Sequence, residues 1–289
     1  MAQGPGPVAL VGSGEFLPGM VAVDTALLEG RPRRAVVLPT AAAREGDERV
    51  AHWITLARAH YEAMGVEPVP LDVRTRADAA DPAVAGAVEG AGLVYLSGGD
   101  PHHLARTIEA TPLWSAIRSA WEKGTAIGGC SAGAMALTSG APDDLFASAS
   151  PSASASPPAS ASPSASTPFV DGGGRETRAA GVANGLGLLA GLAVIPHFDW
   201  MQRWRAGALE RFMSWQPPGT TLVGIDEDTA LVGDLGRWHV AGRGAVWVFE
   251  PDDRVPYRPG DEVPVLPAPR IPPPSRNVAP ANTVEGSER

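Results

Sequence analysis

Gly129-Cys130-Ser131-Ala132-Gly133 is the segment whose residue types and spacing say most about chemistry. It closes a strand-like run that begins at Thr125–Ile127 and opens a helix-compatible stretch, AGAMAL. In a G-x-S-x-G of this kind a strand turns sharply into a helix, and the flanking glycines let the backbone close without a clash. The turn exposes the Ser131 hydroxyl and sets the Ala132 N–H at a helix N-terminus, where it can stabilise an oxyanion. A serine stays a weak nucleophile until a base takes its proton. Of the six histidines, His197 is the best placed, because it follows the apolar run Leu192–Ile195 and so projects from a strand's carboxyl end. His52 and His60 fall in a helical pattern and His239 in a hairpin pattern, which predicts surface or core-edge positions. His102 and His103 flank a glycine turn and are expected near the pocket.

A third group must hold the imidazole. Glu227, in Gly224-Ile225-Asp226-Glu227-Asp228-Thr229-Ala230, follows another apolar strand and is preferred. Asp143 and Asp144, soon after the serine's helix, compete with it. Ser97-Gly98-Gly99-Asp100 supplies paired glycines whose N–H groups can approach a substrate, so Gly98 or Gly99 can complete an oxyanion hole. Cys130 reads as packing, since the residue before an elbow nucleophile points away from the crevice. An elbow shifted by one residue makes Cys130 the nucleophile instead.

These residues need strands to carry them. Apolar, β-branched runs at Val8–Val11, Ala35–Leu38, Pro68–Leu71, Leu93–Leu96, Thr125–Ile127, Leu192–Ile195, Leu222–Ile225 and Ala230–Val232 alternate with helical patterns. The helices are predicted at Glu48–Met64, Pro82–Glu89, His102–Ala110, Leu113–Lys123 and Arg203–Ser214. Continuous apolar strands separated by helices predict a mostly parallel sheet covered on both faces, a three-layer α/β/α domain. Gly236 to Phe249 reads as a C-terminal hairpin turning at Gly242 to Gly244. In such sheets functional loops lie outside the carboxyl ends of the strands, which points to Gly12–Phe16, Pro39–Arg44, Ser97–His103, Cys130–Ser131, Pro196–Phe198 and Asp226–Asp228.

Composition bounds the rest. The 289 residues carry 23 Lys+Arg against 32 Asp+Glu, a net charge of −9 that argues against nucleic-acid or anionic-membrane partners. Lys123 is the sole lysine, and its setting, WEKG, fits neither a P-loop nor a Schiff base. One cysteine excludes an internal disulfide framework and a cysteine-rich zinc site. The N-terminal residues show no basic n-region, and no apolar run reaches the ~18 residues of a membrane span, so the expected location is cytoplasmic. Residues 147–168 contain only Ala, Ser, Pro and one Thr. That composition cannot bury enough apolar surface to order itself, which predicts a disordered insertion over about 147–178. The expected organisation is therefore one domain over 1–250, interrupted by this insertion, and a largely disordered proline-rich tail over 251–289.

Taken in order, Tyr95-Leu96-Ser97-Gly98-Gly99-Asp100, Gly129-Cys130-Ser131-Ala132-Gly133-Ala134, Gly185-Leu186-Gly187-Leu188-Leu189 leading to Ile195-Pro196-His197-Phe198, and Gly224 to Ala230 resemble the peptidase S51 family. The resemblance spans about residues 8–250. It implies a class I glutamine amidotransferase-like (flavodoxin-like) fold and a serine hydrolase with Ser131 as nucleophile, His197 as base and acid, and Glu227 as orienting acid. It further implies an oxyanion hole from Gly99 and Ala132, and no metal or organic cofactor. Gly98 and Asp100 are expected to line the substrate site, and Arg203 and Arg205 to grip a peptide carboxylate bidentately. Chain order agrees: an α/β-hydrolase presents its acid before its histidine, whereas here His197 precedes Glu227.

Ile195-Pro196 and Pro101 depart from the cyanophycinase-like pattern, which carries Asp-Gln and Gln there, and Pro196-His197-Phe198 looks more like dipeptidase E. A cytoplasmic peptidase for short peptides is thus the leading expectation, with a homodimer left open. An amidase using Cys130 and a non-catalytic binding module on the same fold are the alternatives.

Overall fold

A computed structural model describes residues 4–145, 183–204, 207–234, 236–251, 253–264 and 266. The predicted insertion at 147–178 lies wholly outside them, as do Arg205 and the predicted tail beyond residue 266. The first half alternates strand and helix: β1 (Val8–Val11), α1 (Val21–Leu27), β2 (Arg34–Leu38), α2 (Asp47–Ala63), β3 (Glu67–Pro70), α3 (Arg76–Ala80), α4 (Pro82–Gly86), β4 (Leu93–Leu96), α5 (Pro101–Ile108), α6 (Pro112–Glu122), β5 (Ala126–Cys130) and α7 (Ala132–Leu137). There follow β6 (Leu192–Ile195), α8 (Phe198–Trp204), α9 (Ala208–Trp215), β7 (Thr221–Ile225), β8 (Thr229–Asp234), β9 (Arg237–Gly242), β10 (Val246–Phe249) and β11 (Arg254–Tyr257).

Three helix starts are written into the sequence in the same way. Asp81-Pro82, Asp100-Pro101 and Thr111-Pro112 each put an oxygen-bearing cap before a proline at the first helical position. The cap oxygen accepts otherwise orphaned N–H groups, and proline's missing N–H costs nothing there.

The main sheet has the order β3-β2-β4-β5-β1-β8-β9. β3, β2, β4, β5 and β1 run parallel, and β8 and β9 are antiparallel to their neighbours. Alternate residues of its strands enter two different cores, as period-2 geometry demands. Val8, Leu10, Val36, Leu38, Val94 and Leu96 pack with Leu104, Ile108, Ile117 and Trp121 of α5 and α6. Ala9, Val11, Ala35, Val37, Leu93 and Tyr95 pack with Val23, Leu27, Trp53, Ala57 and Tyr61 of α1 and α2. The three-layer α/β/α arrangement is therefore the one the continuous apolar strands predict.

Four features differ from expectation. First, β6 and β7 do not extend the main sheet. They form a second sheet, β11-β10-β7-β6, packed into the same core as α5 and α6. Second, Gly236–Phe249 is not a hairpin. β9 pairs with β8 around Gly236, while β10 leaves to pair with β7. Gly242 to Gly244 is a crossing between sheets that wraps the Asp226–Asp228 turn: a Cβ on Gly242 would lie 2.2 Å from the Asp228 carbonyl oxygen. Third, the chain beyond Pro251 is not all tail. β11 pairs with β10, Val263 N–H donates to the Trp238 carbonyl, and Val263 and Leu266 are buried. Apolar residues among the prolines give this stretch a face to bury, which a reading by proline content overlooks.

The helix predicted over Arg203–Ser214 is also two helices, α8 and α9, interrupted at Gly207, whose φ of 77° lies in the left-handed region.

Candidate active site

The glycines around Ser131 explain why the elbow needs its sequence. A Cβ on Gly129 would sit 2.8 Å from Gly133 backbone atoms, and one on Gly133 would sit 2.1 Å from the Leu96 carbonyl oxygen. Only the bare backbone lets α7 start against the ends of β5 and β4. Ser131 itself has φ 50° and ψ −108°, and its N–H is held by the Val11 carbonyl. His197 and Asp228 have φ 50° and 51°. Three of the five non-glycine residues at positive φ among the described residues thus lie in the segments that carry Ser131, His197 and Glu227. Such backbone costs about 1–3 kcal/mol each and persists where surrounding structure holds it.

The structure brings Ser131, His197 and Glu227 together. The Ser131 Oγ lies 3.1 Å from His197 Nε2, and His197 Nδ1 lies 3.0 Å from Glu227 Oε1. A carboxylate on Nδ1 makes that nitrogen the N–H donor and leaves Nε2 as acceptor for the serine proton. Glu227 sits where the chain passes from β7, in one sheet, to β8, in the other. Its N–H donates to Asp199 Oδ1 at 3.0 Å, tying the acid's turn to the helix that begins after His197. Next to it, Asp226 Oδ2 accepts the Ala245 N–H at 2.8 Å and Oδ1 accepts the Trp247 Nε1–H at 3.0 Å. Burial pushes the Asp226 carboxyl above its ordinary range. Neither Asp199 nor Asp226 stood out in the sequence, because their partners come from other elements.

The other candidates separate by geometry. Asp143 Oδ1 accepts from Asn184 Nδ2 at 3.1 Å and lies 3.8 Å from His102 Nδ1, so its described partners lie away from the triad. For Asp144 the side chain lies outside the described set. Asp100 Oδ1 accepts the N–H groups of His102 and His103 at 2.9 and 3.0 Å, which makes it the N-cap of α5. Its other oxygen lies 3.5 Å from Arg44 Nη1. Gly98 abuts Ser131, with a Cβ position 3.5 Å from Ser131 Cβ, but its N–H is already given to Glu15. Gly99, at φ 139°, passes so close to Ala41 backbone that a Cβ would lie 2.4 Å away. Arg203 lies in α8 with no described side-chain position.

Cys130 is fully buried and its thiol donates to Glu15 Oε2 at 2.8 Å. Burial, and then the Glu15 carboxylate, push the thiol well above its usual range, the reverse of what an activated nucleophile requires. His102 and His103 are tied by Nε2 to the Pro142 and Arg74 carbonyls, and burial lowers both. His60 is not at the surface or core edge. It is buried, 2.7 Å from Asp24 Oδ2, because the α2 face carrying Trp53, Ala57 and Tyr61 turns it toward α1.

Among the described residues no helix is long and apolar enough to cross a membrane, and no group of three or more His, Cys, Asp or Glu is arranged to hold a metal.

Comparison with known proteins gives the same frame. The profile of Peptidase family S51 matches residues 22–239. A cyanophycinase of Trichormus variabilis is 30% identical over 199 residues, 67% of this chain and 57% of that protein. A cyanophycinase of Synechococcus elongatus is 32% identical over 199 residues, 67% of this chain and 52% of that protein. The match thus spans little more than half the length of these curated relatives. The crystal structure of a peptidase from an acI-B1 Actinobacterium superposes with a TM-score of 0.74 at 31% identity, covering 91% of this chain and 98% of that one. The chain belongs to peptidase family S51.

Proposed function

We propose that this protein is a serine peptidase that hydrolyses short peptides through an acyl-enzyme. The observation that carries the reading is the unbroken chain from Ser131 Oγ to His197 to Glu227, at 3.1 and 3.0 Å. Ser131 Oγ attacks the scissile carbonyl carbon as His197 Nε2 takes its proton, and Glu227 stabilises the imidazolium through Nδ1–H. The imidazolium hydrogen is passed to the leaving amine as the C–N bond breaks. Water, deprotonated by His197 in turn, then releases the acyl group and restores Ser131. The amides of Gly99 and Ala132 receive the oxyanion.

Short peptides are preferred as substrates on the Pro196-His197-Phe198 segment, where the cyanophycinase-like pattern has a different residue before histidine. Labelling by a fluorophosphonate probe tests the chemistry, with wild type, Ser131→Ala and Cys130→Ala compared. Loss of labelling in Ser131→Ala alone is the expected outcome. Labelling lost only in Cys130→Ala points to the amidase, and an unreactive folded wild type points to a binding module. Asp-, Glu- and Arg-containing dipeptides, set beside cyanophycin, then decide the substrate.

A further inference from the structure

The loop after β1, Gly12–Phe16, touches the other parts of this site. A Cβ on Gly12 would lie 2.1 Å from the Asp226 carbonyl oxygen, and one on Gly14 2.2 Å from Asp228 Oδ1, so the loop is packed against the turn that carries Glu227. Glu15 connects the same loop to the nucleophile. It is 5% exposed, its Oε1 accepts the Gly98 N–H at 2.9 Å, and its Oε2 accepts the Cys130 thiol at 2.8 Å. A buried carboxylate is costly unless its oxygens are hydrogen-bonded, and both of these are. One side chain therefore joins the glycine loop after β4 to the residue before Ser131, and Gly98 lies against both Glu15 and Ser131 Cβ.

The chain bends at Gly98 and Gly99, directly after β4, so the one N–H that Glu15 holds fixes where that bend sits beside Ser131. We propose that Glu15 is a positioning residue for the oxyanion hole: by holding the Gly98 N–H it turns the Gly99 N–H, and not that of Gly98, toward the oxyanion formed at Ser131. This rests on the reading of Ser131 as nucleophile. It assigns Glu15 an acceptor's role, in which its hydrogen-bonding oxygen matters more than its charge. Glutamine keeps an oxygen to accept the Gly98 N–H, whereas alanine and leucine do not.

The test is the rate of fluorophosphonate labelling of the full-length chain, because the P=O oxygen of the probe takes the oxyanion position. The rate is followed from about pH 5.5 to about pH 9, bracketing a histidine base, with folding checked by near-UV circular dichroism. Glu15→Ala and Glu15→Leu are expected to label at least about tenfold more slowly, with the pH profile unmoved because His197 and Glu227 are untouched. Glu15→Gln is expected to stay within about threefold of wild type. Folded Glu15→Ala or Glu15→Leu reacting at the wild-type rate overturns the proposal, as does a shifted pH midpoint. A folded Glu15→Gln slowed more than about tenfold also overturns it, since charge would then be the controlling property, and this variant decides if the other two do not fold. An unreactive wild type removes the serine reading and this proposal with it, whereas failure of the variants alone leaves the serine reading standing.

Discussion

In the proposed reaction His197 accepts a proton on one nitrogen while its other nitrogen stays oriented, a task suited to the 3.0 Å contact with Glu227 Oε1. An amide in place of the carboxylate can present its NH2 group to Nδ1 and favour the wrong tautomer. Glu227→Gln should therefore lower kcat by roughly 10⁴ on whichever dipeptide is turned over, with the fold intact by circular dichroism. A loss below about tenfold would show that another group orients the imidazole. Sequence reasoning reached Ser131, His197 and Glu227 because each closes an apolar strand. It passed over Glu15, a single acid between glycine and phenylalanine in GSGEF, because its two partners, Gly98 and Cys130, are 83 and 115 residues away.

Elements hold these side chains by their ends. α5 starts directly after the Gly98-Gly99 bend, and Asp100 fixes that start by accepting two N–H groups of its first turn. Asp100→Ala should cost about 1 kcal/mol, or a fall in Tm of about 2–4 °C, and leave KM for a peptide unchanged. A large rise in KM with no loss of stability would instead return Asp100 to the substrate-lining role its position in Ser97-Gly98-Gly99-Asp100 suggests. The strands and cap-proline helix starts of the first half were legible because local chemistry and burial agree there. The apparent hairpin at 236–249 was not, because turn residues mark a reversal without saying which strand lies across it. β9 finds its partner behind it in β8, and β10 finds its own in β7.

Across the whole molecule, the buried His102 and His103 make part of the stability depend on pH. Desolvation lowers the folded-state affinity of His102 and His103 for a proton, so between the folded values and the ordinary histidine value near 6.5 the unfolded chain binds more protons. These two histidines therefore cost stability as pH falls below about 6.5, and above it, where both states are neutral, that penalty vanishes. Thermal melts between about pH 7.5 and 5.5 should show Tm falling with pH, and His102→Gln should flatten the slope. An unchanged slope in that variant would place the pH sensitivity elsewhere. The domain's limit is also a whole-molecule property, since Val263 and Leu266 complete a core built largely from residues far earlier in the chain.

The sequence by itself determined the layered α/β class, the positions of most strands, the elbow at Ser131 and the presence of a histidine and an acid at strand ends. Periodicity, caps and turn glycines are local, and they act over a few residues. Tertiary structure alone decided the division into two sheets, the departure of β10 from β9 to pair with β7, and the bridge made by Glu15. Those outcomes depend on which strand ends meet, and a pairing between residues tens to more than a hundred positions apart leaves no periodic trace in one chain.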